Sequence, residues 1–331
     1  MSDSPEVKLS ADPDHALRAR AWSRYWSSEV RHSCPGSFEG HYGSATENYW
    51  RTRFQRIRPE HVVMEVGCGN GSLIRLLDEA GVSVRPSVFH GIDAARLNLH
   101  WLEDLSDDMR ARVRVHAQTS VQRLPLSDHS IDHIYSQYAL EYCADDVAWS
   151  ELARVLKPGA TFAAIAHCAD SYLARVAASE RDHCDWLLRT DGVVARAERI
   201  LSLIAAATGS RPAGAAAEKA RSALNMALAE LSERVQTGEC TDVLDDTAQR
   251  IMHLVQTALV GAAGTARAHL QRLQDELVDH RLRVGELVAY ALDTGALVEW
   301  ETRLRELGFR SIEIGEIHEG SHLVGCTIAA E

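Results

Sequence analysis

Residues 62–73, with the sequence VVMEVGCGNGSL, decide the fold of this chain. The apolar run at the start is typical of a buried strand. It is interrupted by Glu65 and followed by glycines at alternate positions, 67, 69 and 71. Residues 72–80 then place leucine and isoleucine at helical spacing. Strand, glycine turn and helix predict half of a nucleotide-binding βαβ unit, because glycines let the backbone approach a ligand and a helix N-terminus offers free N–H groups.

An acidic residue ends the next predicted strand. Residues 88–93 read VFHGID, so that Asp93 comes directly after the apolar run. A carboxylate at this point can accept hydrogen bonds from both hydroxyls of a ribose. The alternative is that Asp93 only caps a helix, which we predict to begin at Ala94 and to reach about Arg110.

Two further motifs follow in the same order as in a known family. Residues 121–134 read VQRLPLSDHSIDHI and residues 151–159 read ELARVLKPG. Together with the glycine turn and Asp93 they resemble class I S-adenosylmethionine-dependent methyltransferases. The resemblance implies an α/β, Rossmann-like fold with a mostly parallel sheet and an antiparallel closing strand. Residues 311–317 and 323–329 alternate in polarity and fit that closing pair.

The resemblance also implies a cofactor, S-adenosyl-L-methionine, and the residues that hold it. These are Glu65, Gly67, Cys68, Gly69, Gly71, Asp93, Ser120, Val121 and Gln137. Ser120 and Val121 stand where the family has an Asp-Ala pair beside the adenine, so the contact to the adenine amino group is expected to be weaker. The segment after the fourth strand lacks the Asn-Pro-Pro-Tyr or Asp-Pro-Pro-Tyr motif, which counts against nucleobase or glutamine amines as acceptors.

Candidates for the chemistry lie around this core. His32, His41 and His167 are the candidate catalytic bases, because an imidazole titrates close to neutral pH. Tyr42, Tyr138 and Glu141 are the candidate substrate contacts. Each histidine also fits a purely structural role. The histidines form no cluster with zinc-ligand spacing, so no metal is predicted.

The chain divides into four predicted segments. Residues 1–58 form a helical extension with helices at about 16–30 and 45–57, joined by a glycine- and histidine-containing loop that either packs or closes over the site. Residues 59–167 form the cofactor-binding core and residues 294–331 complete it. Residues 168–293 are rich in Ala, Leu, Arg and Glu, with apolar stripes typical of four or more helices. This insertion is predicted to cap the active site, to form a homodimer contact, or both.

The composition of the chain argues against several classes of partner and location. The net charge of −12 argues against nucleic acid or an anionic membrane as partner. The sequence contains no apolar run of 18 residues, and its seven cysteines are scattered without a C-x-x-C pair, so we expect a cytoplasmic protein. The leading hypothesis is methyl transfer to oxygen or nitrogen of a small molecule such as a specialised metabolite. The alternatives are a peptide or protein methyltransferase that grips its substrate with the insertion, and a non-catalytic cofactor-binding scaffold.

Overall fold

The computed structural model describes residues 13–28, 30–32, 43–80, 85–207 and 214–331. Within them the chain forms a seven-stranded sheet. Its strands are β1 (Val62–Val66), β2 (Val88–Ile92), β3 (Val113–His116), β4 (Ile131–Gln137), β5 (Leu156–Ala166), β6 (Ile312–Glu319) and β7 (His322–Ala330). Their order across the sheet is β3-β2-β1-β4-β5-β7-β6.

The pairing of the strands confirms the predicted fold class. Strands β1 to β5 are parallel, with Val63 beside Phe89 of β2 and His133 of β4. Strand β7 runs antiparallel to both β5 and β6, which makes the closing pair. Successive residues face opposite layers, since Val63 belongs to one apolar cluster and Met64 to the other.

The chain forms two compact units. One unit comprises the residues up to Ala174 together with Ala289–Glu331, and the other comprises Arg175–Val288. Helices of the first unit before the insertion are α1 (Pro13–Trp26), α2 (Ser44–Phe54), α3 (Ser72–Glu79), α4 (Asp107–Arg112) and α5 (Asp146–Val155).

The second unit is helical. Its elements are α6 (Tyr172–Leu187), α7 (Val193–Ala206), α8 (Ala215–Thr237), α9 (Asp242–Thr257) and α10 (Ala263–Tyr290), the first and last of which begin or end in the first unit. Leucine and isoleucine side chains such as Leu231, Ile251 and Leu270 form its core. The chain then re-enters the sheet through α11 (Thr294–Glu306). The roles of this unit as a cap or a dimer contact stay predictions.

The helix predicted from Ala94 to about Arg110 is wrong in extent. The chain is irregular after Asp93, makes a 3₁₀ turn at His100–Asp104, and becomes α-helical only in α4. The physical reason is that Ser106 caps a separate helix. Its hydroxyl accepts a hydrogen bond from Met109 N–H, so that a new helix begins after Ser106.

Candidate functional site

The glycine turn lies between the carboxyl ends of β1 and β2. The backbone N–H groups of Gly67 and Cys68 both donate to the carbonyl of Ile92, at 2.8 and 3.1 Å. Gly67 has a φ of 75°, and a Cβ added to it would lie 2.0 Å from the Cβ of Ala139. The turn therefore requires glycine at this position both for its left-handed backbone and for its close approach to the segment after β4.

Asp93 lies beside this turn and bonds to it. Its Oδ2 accepts from Gly69 N–H at 2.9 Å and its Oδ1 accepts from Ala95 N–H at 2.8 Å. Burial raises the pKa of Asp93 to about 6, although the hydrogen bonds from the two N–H groups lower it. A carboxylate has about four acceptor positions, so two N–H donors leave room for ribose hydroxyls.

Glu65 is a buried carboxyl within the same site. Its Oε2 has no hydrogen-bond partner among the residues that the structure describes. Burial, and then the neighbouring charge of Asp93, raise the pKa of Glu65 well above its ordinary value. An unpartnered buried oxygen is costly unless a ligand satisfies it. It therefore fits a cationic or hydrogen-bond-donating ligand group.

A cavity of about 610 Å³ connects these groups. Of the residues predicted from the sequence, those that line it are His32, Glu65, Gly67, Cys68, Asp93, Ser120, Val121, Gln137, Tyr138 and Glu141. Gly69, Gly71 and His167 lie outside the lining, and His41 and Tyr42 lie outside the described residues. The catalytic and substrate roles of all these residues stay predictions.

Aromatic side chains line another part of the cavity. Trp22 of α1 stacks on Trp26, with ring centroids 6.0 Å apart and an interplanar angle of 20°. Tyr142 packs edge-on against Trp22 at 6.2 Å and lies 5.8 Å from Tyr290. The Arg18 guanidinium donates a hydrogen bond of 2.9 Å to the Tyr290 hydroxyl. All five side chains line the cavity, so it has an aromatic wall with the Arg18 guanidinium beside it, and Arg31 is also part of the lining.

Glu141 and His167 form a buried pair at the carboxyl ends of β4 and β5. Glu141 Oε1 accepts from the backbone N–H of His167 at 3.0 Å and lies 2.8 Å from its Nδ1. Glu141 Oε2 and His167 Nε2 have no partner among the described residues. Glu141 contributes to the lining of the cavity and His167 does not, so Glu141 is the member of the pair at the cavity wall, with its carboxyl group almost fully buried.

His32, which follows α1 within the N-terminal extension, contributes to the lining of the cavity. It is buried, and its carbonyl accepts a hydrogen bond of 2.8 Å from the Tyr25 hydroxyl. The neighbouring Asn70 side chain donates to the carbonyls of Ser28 and Val30 at 3.0 and 2.9 Å. These bonds attach the segment directly after α1 to the glycine turn.

Sequence reasoning assigned no ligand role to some of the lining residues. Trp22 and Trp26 belong to the N-terminal extension, and Tyr142 follows Glu141 directly in the chain. For Arg18 and Tyr290 the sequence contains no signal, because they meet across 272 positions.

The site fits S-adenosylmethionine. Asp93 has acceptor positions for a ribose, Glu65 has an oxygen without a partner in the described part of the chain, and the glycine turn allows close approach. The profile of a family described as "Methyltransferase domain" matches residues 64–164, from β1 to β5. Residues 64–164 thus form an S-adenosylmethionine-dependent methyltransferase domain with the class I fold, and S-adenosylmethionine is its cofactor.

Individual relatives are more distant. The malonyl-[acyl-carrier protein] O-methyltransferase of Marinomonas sp. (strain MWYL1) is 31% identical over 100 residues, which are 30% of this chain and 35% of that protein. The match therefore spans about a third of the relative's length. Among solved structures, geranyl diphosphate C-methyltransferase from Streptomyces coelicolor A3(2) aligns at 16% identity and a TM-score of 0.37, over 48% of this chain and 67% of that one. A SAM-dependent methyltransferase from Aquifex aeolicus aligns at 20% identity and 0.32, over 41% and 69%.

No helix in the described part of the chain is long and apolar enough to cross a membrane. No group of three or more His, Cys, Asp or Glu side chains in the same part is arranged to hold a metal ion.

Proposed function

We propose that this protein transfers the methyl group of S-adenosylmethionine to an oxygen or nitrogen atom of a small molecule. The observation that carries the proposal is that a single cavity contains both the cofactor-fitting groups, Glu65 and Asp93, and the aromatic wall around Tyr142. Its volume of about 610 Å³ is within the range of small-molecule sites, which is about 300–1,000 Å³. A cofactor would occupy the part of the cavity at Glu65 and Asp93, and an acceptor would occupy the part at the aromatic wall.

The protein's task in such a reaction is positioning. The bound cofactor supplies an electrophilic methyl group. The chain must hold the acceptor in line with it and keep water away, and good orientation contributes about 7–11 kcal/mol to lowering a barrier. The aromatic wall supports this role, because Trp22, Tyr142 and Tyr290 give the cavity an apolar lining that would keep water away from an acceptor bound beside it.

Glu141 supports oxygen or nitrogen as the acceptor atom. His167 fixes its Oε1, so that Oε2 is the oxygen left to accept a hydrogen bond or a proton from an O–H or N–H group. In this arrangement His167 acts as a positioning residue behind the carboxyl group. The curated relative is named as an O-methyltransferase, which is consistent with oxygen.

The proposal is tested in two steps. Calorimetry should show binding of S-adenosylmethionine and S-adenosylhomocysteine by the wild-type protein. Asp93→Asn should weaken both by at least about tenfold, since a charge-assisted hydrogen bond contributes about 1.5–3 kcal/mol. Asp132→Asn is the matched control, because Asp132 accepts from Val62 N–H at the opposite end of β1, outside the cavity. Equal affinity of Asp93→Asn and wild type would contradict the assigned cofactor site.

Incubation with methyl-labelled cofactor and a fractionated lysate then tests the acceptor class. Label in the small-molecule fraction supports the proposal. Label in the protein fraction would favour the peptide or protein methyltransferase, and tight cofactor binding without label in any fraction would favour the scaffold.

A further inference from the structure

We propose that the acceptor is a small carboxylic acid of net negative charge with an apolar body, and that the guanidinium of Arg18 receives its carboxylate. The methyl group would go to a separate O–H or N–H group of the same molecule, so the product would keep the negative charge. The inference rests on the proposed function, since it concerns the same cavity and names the class of small molecule.

Helix α1 presents one cation and two indoles to the cavity. Arg18, Trp22 and Trp26 follow one another at four-residue spacing, which aligns side chains along one face of a helix, and all three line the cavity. Trp26 lies against the glycine turn, because a Cβ added to Gly69 would be 2.7 Å from its ring. Eight residues of helix place Arg18 about 12 Å further along the axis. The cation therefore lies at the end of this face that is remote from the turn.

Tyr290 orients the guanidinium of Arg18 at that end. Arg18 donates to the Tyr290 hydroxyl at 2.9 Å, and its guanidinium carbon lies 5.1 Å from the centre of the Tyr290 ring. Both contacts are with a neutral side chain, so they hold the guanidinium in place without neutralising it. A guanidinium has five N–H donors, and its planar fork matches the two oxygens of a carboxylate.

The surface between the cation and Glu141 is aromatic. The rings of Trp22 and Tyr142 lie edge-on at 6.2 Å, and Tyr142 directly follows Glu141 in the chain. This surface fits the apolar body of an acceptor that has its carboxylate at Arg18. A carboxylate loses no proton when it is methylated, so a proton acceptor at Glu141 implies a separate O–H or N–H group as the methylated one.

The carboxyl groups of the lining have contacts of their own. Asp93 accepts from two backbone N–H groups. Asp145 accepts from Ala148 N–H at 2.8 Å, where it caps α5, and from the side-chain amide of Gln122. Burial raises the pKa of Glu65 well above its ordinary value, which lowers the negative charge of the cavity near neutral pH. The lining thus tolerates an anion beside Arg18.

The cofactor also carries a carboxylate, which is the competing occupant for a cation in this cavity. Arg31 lines the cavity as well, and it follows Val30, whose carbonyl accepts from the Asn70 side chain in the glycine turn. Arg31 is therefore the cation close to the turn, and Arg18 is the remote one. S-adenosylhomocysteine keeps the cofactor's carboxylate, so the affinity for this ligand distinguishes the two roles of Arg18.

The first test measures the charge of the methylated product. Wild-type protein is incubated with methyl-labelled cofactor and the small molecules of a lysate, and the products are applied to an anion exchanger at about pH 7.5. We expect new label to be retained and to elute at about pH 2.5, where carboxylates are protonated. Label that passes unretained, as a neutral product or a methyl ester would, overturns the inference. Label that stays bound at the lower pH, as a phosphate or sulfate ester would, overturns it as well.

The second test removes the cation. Small molecules that the exchanger retains before the reaction serve as acceptors for wild type, Arg18→Gln and Arg18→Lys. At limiting acceptor we expect Arg18→Gln to lower the initial rate by about 10- to 100-fold, and at high acceptor most of the rate should return, because the loss is in KM. Arg18→Lys keeps the charge without the planar fork and should fall between the two. The dissociation constant of S-adenosylhomocysteine should stay within about twofold in both variants.

Arg20→Gln is the matched control. Arg20 belongs to the same helix, is exposed and lies outside the lining, so its loss should leave the rates unchanged. Tyr290→Phe removes the hydroxyl that orients Arg18 and should lower the rate at limiting acceptor by about 3- to 10-fold. If Arg18→Gln does not fold, as judged by thermal unfolding, Arg18→Lys and Tyr290→Phe carry the test.

Two further results would contradict the assignment of Arg18. A wild-type rate for Arg18→Gln at limiting acceptor would show that no carboxylate is bound there. A loss of tenfold or more in its affinity for S-adenosylhomocysteine would show that Arg18 holds the cofactor's carboxylate instead. Either result leaves the proposed function intact, whereas absence of label from all small molecules in the wild-type reaction would overturn the proposed function itself.

Discussion

At the scale of single residues, substitution of Glu141 tests the proposed chemistry most directly. Glu141→Gln keeps the shape of the side chain, and its amide oxygen can keep the two contacts that Oε1 makes with His167. An NH₂ group then replaces Oε2, so the acceptor at that position is lost. We expect turnover of the acceptor to fall by about 10²-fold or more, the order of effect of a general base. The dissociation constant of S-adenosylhomocysteine should stay within about twofold.

Variants of His167 test whether this residue positions the Glu141 carboxyl group. His167→Asn retains an N–H donor near the position of Nδ1 and should recover part of the turnover that His167→Ala loses. Glu151→Gln is the control for stability, because Glu151 pairs with Arg154 outside the cavity. Turnover by Glu141→Gln at the wild-type rate would show that methyl transfer needs no proton acceptor at this carboxyl group.

Gly67 allows the cost of a close contact to be separated from the cost of backbone strain. Gly67→Ala places a methyl group 2.0 Å from the Cβ of Ala139 at a φ of 75°. Gly159 has a nearly equal φ of 80°, but open space around it. We expect Gly159→Ala to lower the free energy of unfolding by about 1–2 kcal/mol and Gly67→Ala by well over that, with loss of cofactor binding. Urea unfolding measures both, and equal losses would mean that the turn can move away from Ala139.

At the scale of elements, a chain of hydrogen bonds connects the residue before β1 with β4 and β5. His61 Nδ1 and His133 Nε2 lie 2.7 Å apart, and His133 Nδ1 lies 2.7 Å from Thr161 Oγ1. Burial, followed by the neighbouring His61, lowers the pKa of His133 from 6.5 to about 4. Asp132 and Lys157 face the same histidine, and their ion pair measures 2.6 Å.

Because the pKa of His133 is lowered in the folded state, the protein should become less stable as the pH falls. Between pH 6.5 and 4 the unfolded chain binds a proton that the folded side chain does not, so the free energy of unfolding falls as the pH falls. The share of His133 is on the order of 1–3 kcal/mol. His90, whose pKa burial also lowers to about 4, adds to the same window. Urea unfolding from pH 7.5 to 4 should show a shallower dependence for His133→Gln than for wild type, and no change for the exposed His100→Gln.

Local patterns were sufficient to predict most of these elements. The strand and glycine turn at 62–71 could be predicted because apolar runs and glycines act on their immediate neighbours. The helix after Asp93 was mispredicted, because the Ser106 hydroxyl competes for the backbone and begins a separate helix. The N-terminal helix was predicted to reach Val30 but ends at Trp26, where the hydroxyls of Ser27 and Ser28 bond to earlier carbonyls.

At the scale of the whole molecule, contacts between distant segments set the limit of sequence reasoning. The fold class followed from motifs that agree in order, and the sheet order confirms it. The cofactor side of the cavity was predictable because its residues follow consecutive strands. The aromatic wall was not, since it joins α1, the turn after β4 and Tyr290 at the end of α10, and no local pattern connects them.

The path of the chain around the second unit gives the last prediction. Leu292 N–H donates to the carbonyl of His167 at 2.7 Å, and Ala169 N–H donates to the carbonyl of Leu292 at 3.0 Å. The chain therefore leaves the first unit and returns to it at adjacent backbone positions. Because these contacts lie within the first unit, replacing residues 175–288 with a short Gly-Ser linker should leave a folded sheet. We expect cooperative thermal unfolding and a dissociation constant for S-adenosylhomocysteine within about threefold of wild type.

Turnover by the shortened chain then tests the role of the second unit. If the helices cap the active site or hold the acceptor, turnover should fall by far more than cofactor affinity, because the chemistry loses its shielding from water while Glu65 and Asp93 stay in place. Full turnover would mean that the unit is neither cap nor acceptor site. Two linker lengths control for strain at the junction, since a flexible loop costs only about 0.6 kcal/mol more for each doubling of its length. A shortened chain that does not fold with either linker would show instead that the first unit depends on the second for its stability.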